Sequence, residues 1–242
     1  SSKETIVMKF SSYLTEATLL RRPLRFLADV ALSSQQRLVI RCPNLKRILG
    51  CDILGTRIWF SNPTGLHCLP TWELAEVEGG HIVGINPEVL KPLFKEGIRN
   101  RHYKELAEFD LVYDDPFDKG KALRLESKDS SCYVGLEQVT LADESGAGFF
   151  PESSSDGIDT LKYLLELRRS GENVKLCFCA LHTGVKYIQP AKHINKEYFG
   201  LLKAAIDEGI EIIAYRAVIS LYNMELSISV PFYFTEKIGS GN

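Results

Sequence analysis

Several common sequence signatures are missing from this chain of 242 residues. No apolar run approaches the ~20 residues that a helix needs to cross a bilayer, so we expect no membrane partner. There is no Cys-x-x-Cys or His-x-x-x-His pair, which argues against a zinc site. Gly146-Ala147-Gly148 lacks the Lys-Ser/Thr of a phosphate-binding loop, and no strained turn presents a nucleophilic serine. The sequence therefore predicts no metal and no other cofactor.

The six cysteines form no recognisable disulfide or metal-binding pattern. They are scattered through segments with the composition of strands, and Cys177 and Cys179 alternate so that both face one side of a strand. Reduced, buried thiols of this kind are typical of an intracellular protein. We therefore expect a reducing compartment, with the cytoplasm and an organelle matrix (mitochondrion or plastid) both open.

The charge is divided unevenly along the chain, although the net charge is only −2. Residues 1–86 contain 10 Lys/Arg and 7 Asp/Glu, a net charge of +3. Residues 87–242 contain 19 Lys/Arg and 24 Asp/Glu, a net charge of −5. A surface that binds a polyanion is usually basic, so the first half is the better candidate for contact with nucleic acid.

The first half is typical of a small β-barrel. Short predicted strands are separated by glycine, proline and asparagine turns, and they cover residues 37–41, 56–60, 72–77 and 81–85. Asn86 and Pro87 then provide the cap and first turn of a helix. We place a domain boundary there, which gives a barrel domain of residues 1–86 and a second domain of residues 87–242.

The second half alternates strands and helices, which indicates a mixed sheet flanked by helices. Asp156 or Ser155 is predicted to cap a helix that runs to Arg169, and Asn195 to cap a helix that runs to Asp207. The Gly- and Ser-rich residues 143–156 are predicted to be a loop. The predicted strands of this half cover residues 121–126, 132–141, 174–181, 211–215 and 226–234.

An ordered set of short segments carries a resemblance to a known family. The segments are Ala-Thr-Leu-Leu-Arg-Arg at 17–22, Arg-Phe-Leu-Ala-Asp-Val at 25–30, Cys-Pro-Asn at 42–44, Leu-Gly-Cys at 49–51, Pro-Thr-Trp-Glu-Leu at 70–74, Cys-Tyr-Val at 132–134, Val-Thr-Leu at 139–141, Phe-Phe-Pro at 149–151, Leu-His at 181–182 and Pro-Ala-Lys-His-Ile at 190–194. Together they resemble the sugar fermentation stimulation protein family. Matching apolar residues such as Phe26, Trp72 and Val139 are expected to build the core.

The resemblance implies an OB-like β-barrel followed by a restriction-endonuclease-like (PD-(D/E)XK) mixed α/β domain. It also implies DNA binding, in some members with nuclease potential. In such nucleases, carboxylates hold a divalent metal at the scissile phosphate and a lysine assists the attacking water. The family pattern is an Asp on one strand, Glu-x-Lys on the next, and a downstream Arg-Gly-x-Lys.

This chain departs from that pattern at every charged position of the second domain. The Asp position falls at Lys121, the Glu and Lys positions at Gly135 and Glu137, and the downstream Arg and Lys positions at Asp156 and Asp159. We therefore predict a pseudoenzyme with no catalytic residues and no bound metal. Glu126 and Glu137 are the acids that would have to replace the lost ligands.

The leading hypothesis is a protein that binds DNA or RNA without sequence preference, or a structural subunit of a ribonucleoprotein. Its predicted contact residues belong to the basic barrel: Arg21, Arg22, Arg25, Arg41, Lys46 and Arg47. Two alternatives stay open. One is a protein–protein interaction module of a large, possibly organellar, assembly, and the other is a metal-dependent nuclease with relocated ligands.

Overall fold

The computed structural model describes residues 7–10, 13–115 and 122–234. Its first half is a six-stranded sheet in the order β4-β3-β2-β5-β6-β7. The pairing of Arg41 with Thr71 joins β4 to β6 and closes a five-stranded barrel, as predicted. The strands are β2 (Thr15–Leu24), β3 (Leu27–Ala31), β4 (Arg37–Arg41), β5 (Arg57–Ser61), β6 (Thr71–Val77) and β7 (His81–Gly84).

Alternating apolar side chains fill the barrel, which is the physical reason for its closure. Trp72 is fully buried, and its indole Nε1 donates a hydrogen bond to the carbonyl of Leu74 at 2.9 Å. Leu19, Ile40 and Ile58 pack in the same core. Phe26, by contrast, is 52% exposed. The prediction that it belongs to the core is wrong, because it lies in the turn between β2 and β3.

The second half is built on a seven-stranded mixed sheet in the order β1-β16-β15-β13-β10-β9-β8. The middle strand β10 runs antiparallel to β9 and parallel to β13. These strands are β1 (Met8–Lys9), β8 (Leu111–Asp114), β9 (Ala122–Glu126), β10 (Ser131–Val139), β13 (Val174–Ala180), β15 (Glu211–Ile219) and β16 (Asn223–Ser229).

Helices cover both faces of this sheet. On one face, α1 (Leu90–Arg99) contributes Leu93 and Phe94 to a core shared with β10. On the other, α2 (Ile158–Arg169) and α3 (Lys196–Asp207) pack around Leu164 and Leu202. In the part of the chain that the structure describes, no helix has the length and apolar character needed to cross a membrane.

The asparagine caps are confirmed, but the predicted cap of α2 is wrong. Asn86 accepts a hydrogen bond from the Glu88 amide at 3.0 Å, and Asn195 accepts one from the Tyr198 amide at 3.0 Å. At α2 the N-cap position is held by Gly157, with φ +78°, and no side chain caps the helix. Asp156 does not cap the helix because its carboxylate forms an ion pair with Lys46 instead.

The predicted loop at residues 143–156 contains a strand, and a second small sheet was missed. Its strands are β11 (Leu141–Ala142), β12 (Ala147–Phe150) and β14 (Tyr187–Pro190), in the order β11-β12-β14. The Gly and Ser residues do form a turn, in which Gly146 has φ +89°. The last strand, predicted at 226–234, is instead Asn223–Ser229, and it pairs through Met224 with Met8 of β1.

The two halves are joined by hydrogen bonds at Gly84, the last residue of β7. The Gly84 amide donates to the Leu181 carbonyl at 2.8 Å. The Gln138 side chain, through Nε2, donates to the Gly84 carbonyl at 2.9 Å. Because β10 carries Gln138, the barrel is held directly against the strand on which the family resemblance places its site.

Gly97 of α1 provides a test of how this helix packs against Tyr103. A Cβ there would lie 2.1 Å from the hydroxyl oxygen of buried Tyr103, which donates to the Leu226 carbonyl at 2.9 Å. We predict that Gly97→Ala lowers the free energy of unfolding by about 1–3 kcal/mol, because overpacking forces the ring to move. Urea denaturation measures the change.

Gly200 of α3 is the matched control, since a Cβ there meets nothing within 4 Å. Gly200→Ala should raise the free energy of unfolding by up to about 1 kcal/mol through helix propensity. Equal effects of the two substitutions would contradict the packing described around Tyr103.

Candidate functional site

Strand β10 carries the two positions at which the family pattern places Glu and Lys. Gly135 pairs with Ala122 of β9 and Leu176 of β13, and Glu137 pairs with Phe178. Alternation along a strand puts Gly135 and Glu137 on the same face of the sheet, the one covered by α2 and α3. Lys121, at the Asp position, lies outside the described residues.

The place of the missing glutamate side chain is filled by apolar atoms. A Cβ on Gly135 would lie 2.6 Å from Leu164 Cδ1 and 3.3 Å from Leu176 Cδ1. Both leucines are buried, Leu164 completely and Leu176 to 1% exposure. Helix α2 therefore rests on the strand where a metal-binding carboxylate would begin.

Beyond Gly135, a cleft of about 410 Å³ opens between the barrel loop 43–47 and the second domain. Besides Glu88, which pairs with Arg41, three carboxylates line it: Glu137 (3% exposed), Asp156 (5% exposed) and Glu152. We call these three residues the acidic floor. The apolar walls are formed by Leu45, Leu90, Leu136 and Phe150.

Lys46 brings a positive charge to the acidic floor from the opposite domain. Its Nζ forms an ion pair with the Asp156 carboxylate. The loop that carries it is shaped by Asn44, whose Oδ1 accepts from the Lys46 amide at 3.1 Å and whose Nδ2 donates to the Ile85 carbonyl at 3.2 Å. The ion pair therefore bridges the two domains across the cleft.

Glu152 has a raised pKa. Burial raises the pKa of Glu152 to about 7, and the neighbouring charge of Asp156 acts in the same direction. A hydrogen bond from the Thr140 hydroxyl opposes this shift. The carboxyl group thus retains its proton through much of the acidic range, which reduces repulsion within the floor.

The described residues do not fit a divalent-metal site of the nuclease kind. Nowhere in residues 7–10, 13–115 and 122–234 does a group of three or more His, Cys, Asp or Glu residues meet the arrangement that could hold a metal ion. Gly135 offers no side-chain donor atom. Glu126 pairs with Ser131, six residues before Glu137, so the two acids are separated by about 20 Å at ~3.4 Å per strand residue.

Asp159, at the last position of the family pattern, does not line the cleft. It is exposed in the first turn of α2, where an acid suits the helix dipole. Of the positions taken from the resemblance that the structure describes, only Glu137 and Asp156 line the cleft. Glu152 and Lys46 also line it. Glu152 is not among the residues predicted from the sequence, although it directly follows the Phe-Phe-Pro segment.

The predicted basic residues do not form one free surface. Arg21 pairs with Asp29 at 2.5 Å, and Arg41 makes two hydrogen bonds to the carboxylate of Glu88, at 2.8 and 3.1 Å. Arg25 and Arg47 are exposed and form no ion pair with any residue that the structure describes. Among the predicted basic residues, the positive charge that is not held in an ion pair with a described residue is thus concentrated at Arg25 and Arg47.

Arg22 is a structural residue that brings these two charges together. Its side chain is only 9% exposed. Its guanidinium donates to the Arg25 carbonyl at 2.6 Å and to the Lys46 carbonyl at 2.7 Å. The turn that contains Arg25 and the loop 43–47 are therefore adjacent. We call Arg25, Lys46 and Arg47 the basic rim, and exposed Phe26 and Leu45 lie within the same two segments.

Comparison with a family model and with known protein sequences gives a consistent result. The model of the sugar fermentation stimulation protein RE domain matches residues 89–223. A sugar fermentation stimulation protein homolog of Shewanella halifaxensis is 34% identical over 233 residues, covering 93% of this chain and 99% of that protein. The homolog of a Marinomonas species is 34% identical over 239 residues, covering 93% and 90%.

The fold agrees with that of a solved relative. Pyrococcus furiosus SfsA in complex with Ca²⁺ matches with a TM-score of 0.83 and 20% identity, over 94% of this chain and 99% of that one. The predicted combination of an OB-like barrel with a restriction-endonuclease-like mixed α/β domain is confirmed.

Glu152 generates a prediction on stability against pH. In the unfolded chain its pKa is near 4.5, and in the folded protein it is about 7. Between these values the unfolded state releases the proton first, so rising pH destabilises the fold. The total loss is at most about 3 kcal/mol, and no further loss occurs above pH 7. Glu152→Gln should remove this decline, as measured by urea denaturation at pH 5 and pH 8.

Glu144→Gln is the control, because Glu144 is an exposed glutamate in the turn between β11 and β12. The comparison is the difference between wild type and variant at each pH, which removes the contribution of other acids. If Glu152→Gln and Glu144→Gln shift the pH dependence equally, the acidic floor is not the origin of the effect.

Proposed function

The chain belongs to the sugar fermentation stimulation protein family, and from this premise we propose that it binds nucleic acid without cleaving it. The observation that carries the non-catalytic part is the packing at Gly135. A nuclease of this fold requires carboxylates that hold a metal at the phosphate. Here Leu164 and Leu176 occupy the place where the strand would carry the first of them.

The remaining charges of the cleft support the same conclusion. The lysine that would assist the attacking water is replaced by Glu137, which adds negative charge where substrate phosphate would have to enter. Asp156 is neutralised by Lys46. The Pyrococcus furiosus relative was solved with Ca²⁺, but the described residues of this chain lack a comparable set of donors, so we extend no calcium site to it.

The basic rim supports contact with nucleic acid. Arg25 and Arg47 are unpaired among the described residues and lie on segments that Arg22 holds together. Phe26, exposed beside Arg25, offers an aromatic face. Proteins that bind single strands without sequence preference combine cations that follow the backbone with aromatic rings on which bases stack. The basic rim provides the cations and Phe26 provides the aromatic ring. They lie on a barrel of a kind that often binds nucleic acid.

One observation favours the alternative of a protein–protein interaction module. Four of the six predicted basic residues are already paired with acids of the same chain: Arg21, Arg22, Arg41 and Lys46. These pairs reduce the positive charge that is free to meet phosphate. Exposed ion pairs are individually weak, however, so Arg21 and Arg41 can exchange their partners for phosphate groups. A role as a structural subunit of a ribonucleoprotein is compatible with either mode of contact.

The test is binding of fluorescent single- and double-stranded DNA and RNA, measured by anisotropy over a range of salt concentrations. We predict affinity that falls steeply with salt, with a logarithmic slope of about 0.7–0.9 per neutralised phosphate. Arg25→Gln/Arg47→Gln should weaken binding about 10-fold or more and reduce that slope by between one and two. Arg99→Gln, an exposed arginine at the opposite end of α1 from the cleft, should change neither.

Two results would contradict the proposal. Absent or salt-independent binding would favour the protein-interaction module. Cleavage of the same oligonucleotides with Mg²⁺ or Mn²⁺, abolished by Glu137→Gln, would show a nuclease with relocated ligands. Because binding and cleavage are measured on the same substrates, the two failures are distinguishable.

A further inference from the structure

A second pocket lies where the barrel meets the second domain, and none of the described positions of the nuclease pattern lines it. Its volume is about 840 Å³, a size suited to a small organic ligand. The barrel contributes His81, the first residue of β7, and the second domain contributes His182, Lys186 and Arg216. We call it the junction pocket.

The turn of residues 182–185 is held in place between the barrel and the large sheet. The Thr183 amide donates to the Ile82 carbonyl at 3.0 Å, and the Ile82 amide donates to the Thr183 hydroxyl at 3.0 Å. From β15, the Arg216 guanidinium donates through Nη1 to the Val185 carbonyl at 2.9 Å. The turn therefore fixes the guanidinium group beside the barrel strand.

His182 offers a hydrogen-bond donor to the pocket that it lines. The residue is 5% exposed, and its Nδ1 accepts a hydrogen bond from the Gly184 amide at 2.9 Å. Burial and the neighbouring His81, whose ring centroid is 5.6 Å away, lower the pKa of His182 to about 4, so the ring is neutral at pH 7. A neutral imidazole that accepts at Nδ1 carries its proton on Nε2. This N–H has no hydrogen-bond partner among the described residues.

Lys186 and Arg216 add two positive charges to the same pocket. Arg216 is half-buried and Lys186 is exposed, and neither forms an ion pair with any residue in the described ranges 7–10, 13–115 and 122–234. Only Nη1 of the Arg216 guanidinium bonds to a described residue, so Nε and Nη2 can donate to a ligand. A half-buried guanidinium group without a carboxylate partner is stabilised by a bound anion.

The acids that line the junction pocket are used elsewhere or exposed to solvent. Asp143 shapes its own turn, because its Oδ1 accepts from the Ser145 amide at 2.9 Å and from the Ala147 amide at 3.0 Å. Glu78 and Glu144 are exposed, so water and salt screen their charge. The enclosed polar groups of the pocket are therefore donors.

These donors favour an anion over a metal ion. A metal would need a lone pair on Nε2 of His182, which is protonated while the Gly184 amide occupies Nδ1. Among the described residues, no group of three or more His, Cys, Asp or Glu could hold a metal ion. A guanidinium fork matches the oxygens of a carboxylate or phosphate. The apolar side chains of Leu49, Val77 and Leu141 line the remaining wall and suit an organic body.

We infer that the junction pocket binds the phosphate or carboxylate group of a small organic molecule, with Arg216, Lys186 and His182 as donors to the anion. The apolar wall receives the organic body of that molecule. None of these three residues belongs to the basic rim, so a failure of nucleic-acid binding would not bear on this site.

The test is titration of the folded protein, without nucleic acid, with phenyl phosphate and with benzoate, followed by proton–nitrogen NMR of the histidine side chains. Wild type should bind at least one probe, with a saturable shift of the His182 Nε2–H signal, which His182→Gln assigns by its loss. Arg216→Gln and Lys186→Gln should each weaken binding about 10-fold or more, because each removes a charge-assisted hydrogen bond. Lys186 is exposed, so its variant tests the site even if Arg216→Gln is less stable. Thermal denaturation of each variant confirms that it is folded.

Lys203→Gln is the matched control, because it removes an equal charge from an exposed position of α3 that does not line the pocket. It should leave binding unchanged. Tighter binding of phenyl phosphate would identify a phosphate ester as the ligand class, and tighter binding of benzoate a carboxylate; both support the site. The inference is overturned if neither probe shifts the His182 signal, if Arg216→Gln and Lys186→Gln bind as tightly as wild type, or if Lys203→Gln weakens binding as much as Lys186→Gln.

Discussion

The packing of helix α2 against the central strand β10 at Gly135 determines which side chains this part of the cleft can accept. Leu164 of the helix and Leu176 of the neighbouring strand meet over the glycine, where a Cβ would lie 2.6 Å from Leu164. Both leucines belong to the core around α2 and α3. The helix cannot withdraw to admit a longer side chain without exposing that core, and each buried leucine contributes roughly 1.5–3 kcal/mol. A carboxylate at this position would therefore require the Leu164 side chain or the helix to move from its present packing.

This constraint explains the unusual charges around the cleft. Without a metal to attract them, buried acids are tolerated only when they are paired, hydrogen-bonded or protonated. Asp156 is paired with Lys46, and Glu152 is both hydrogen-bonded to Thr140 and held at a pKa of about 7 by its burial. Since Lys46 belongs to the barrel, neutralising the floor also joins the two domains. In this chain the cleft is thus also a contact between the barrel and the second domain, made by the ion pair of Lys46 with Asp156.

Local chemistry allowed much of the fold to be predicted, and long-range pairing prevented the rest. The caps at Asn86 and Asn195 and the barrel strands depend on neighbouring residues or on simple alternation, which the sequence displays. Strand β12 was missed because its Ala147 and Gly148 have weak strand propensity, and it is stabilised by pairing with residues about forty positions later.

Contacts between residues far apart in the sequence also limited the prediction of the site. Gly135 and Glu137 were identified from the family pattern, but the partnership of Asp156 with Lys46 joins residues 110 positions apart. Arg22 looked like part of a binding surface, although three backbone carbonyls bind its guanidinium.

The most direct measurement is a titration of the wild-type protein with Mn²⁺, followed by electron paramagnetic resonance of the free ion. If apolar packing at Gly135 and the pairing of Asp156 with Lys46 leave no divalent-metal site in the cleft, free Mn²⁺ is not lost stoichiometrically. We also expect no difference between wild type and Glu137→Gln. Tight binding of one equivalent of Mn²⁺ that is lost in Glu137→Gln would contradict both expectations.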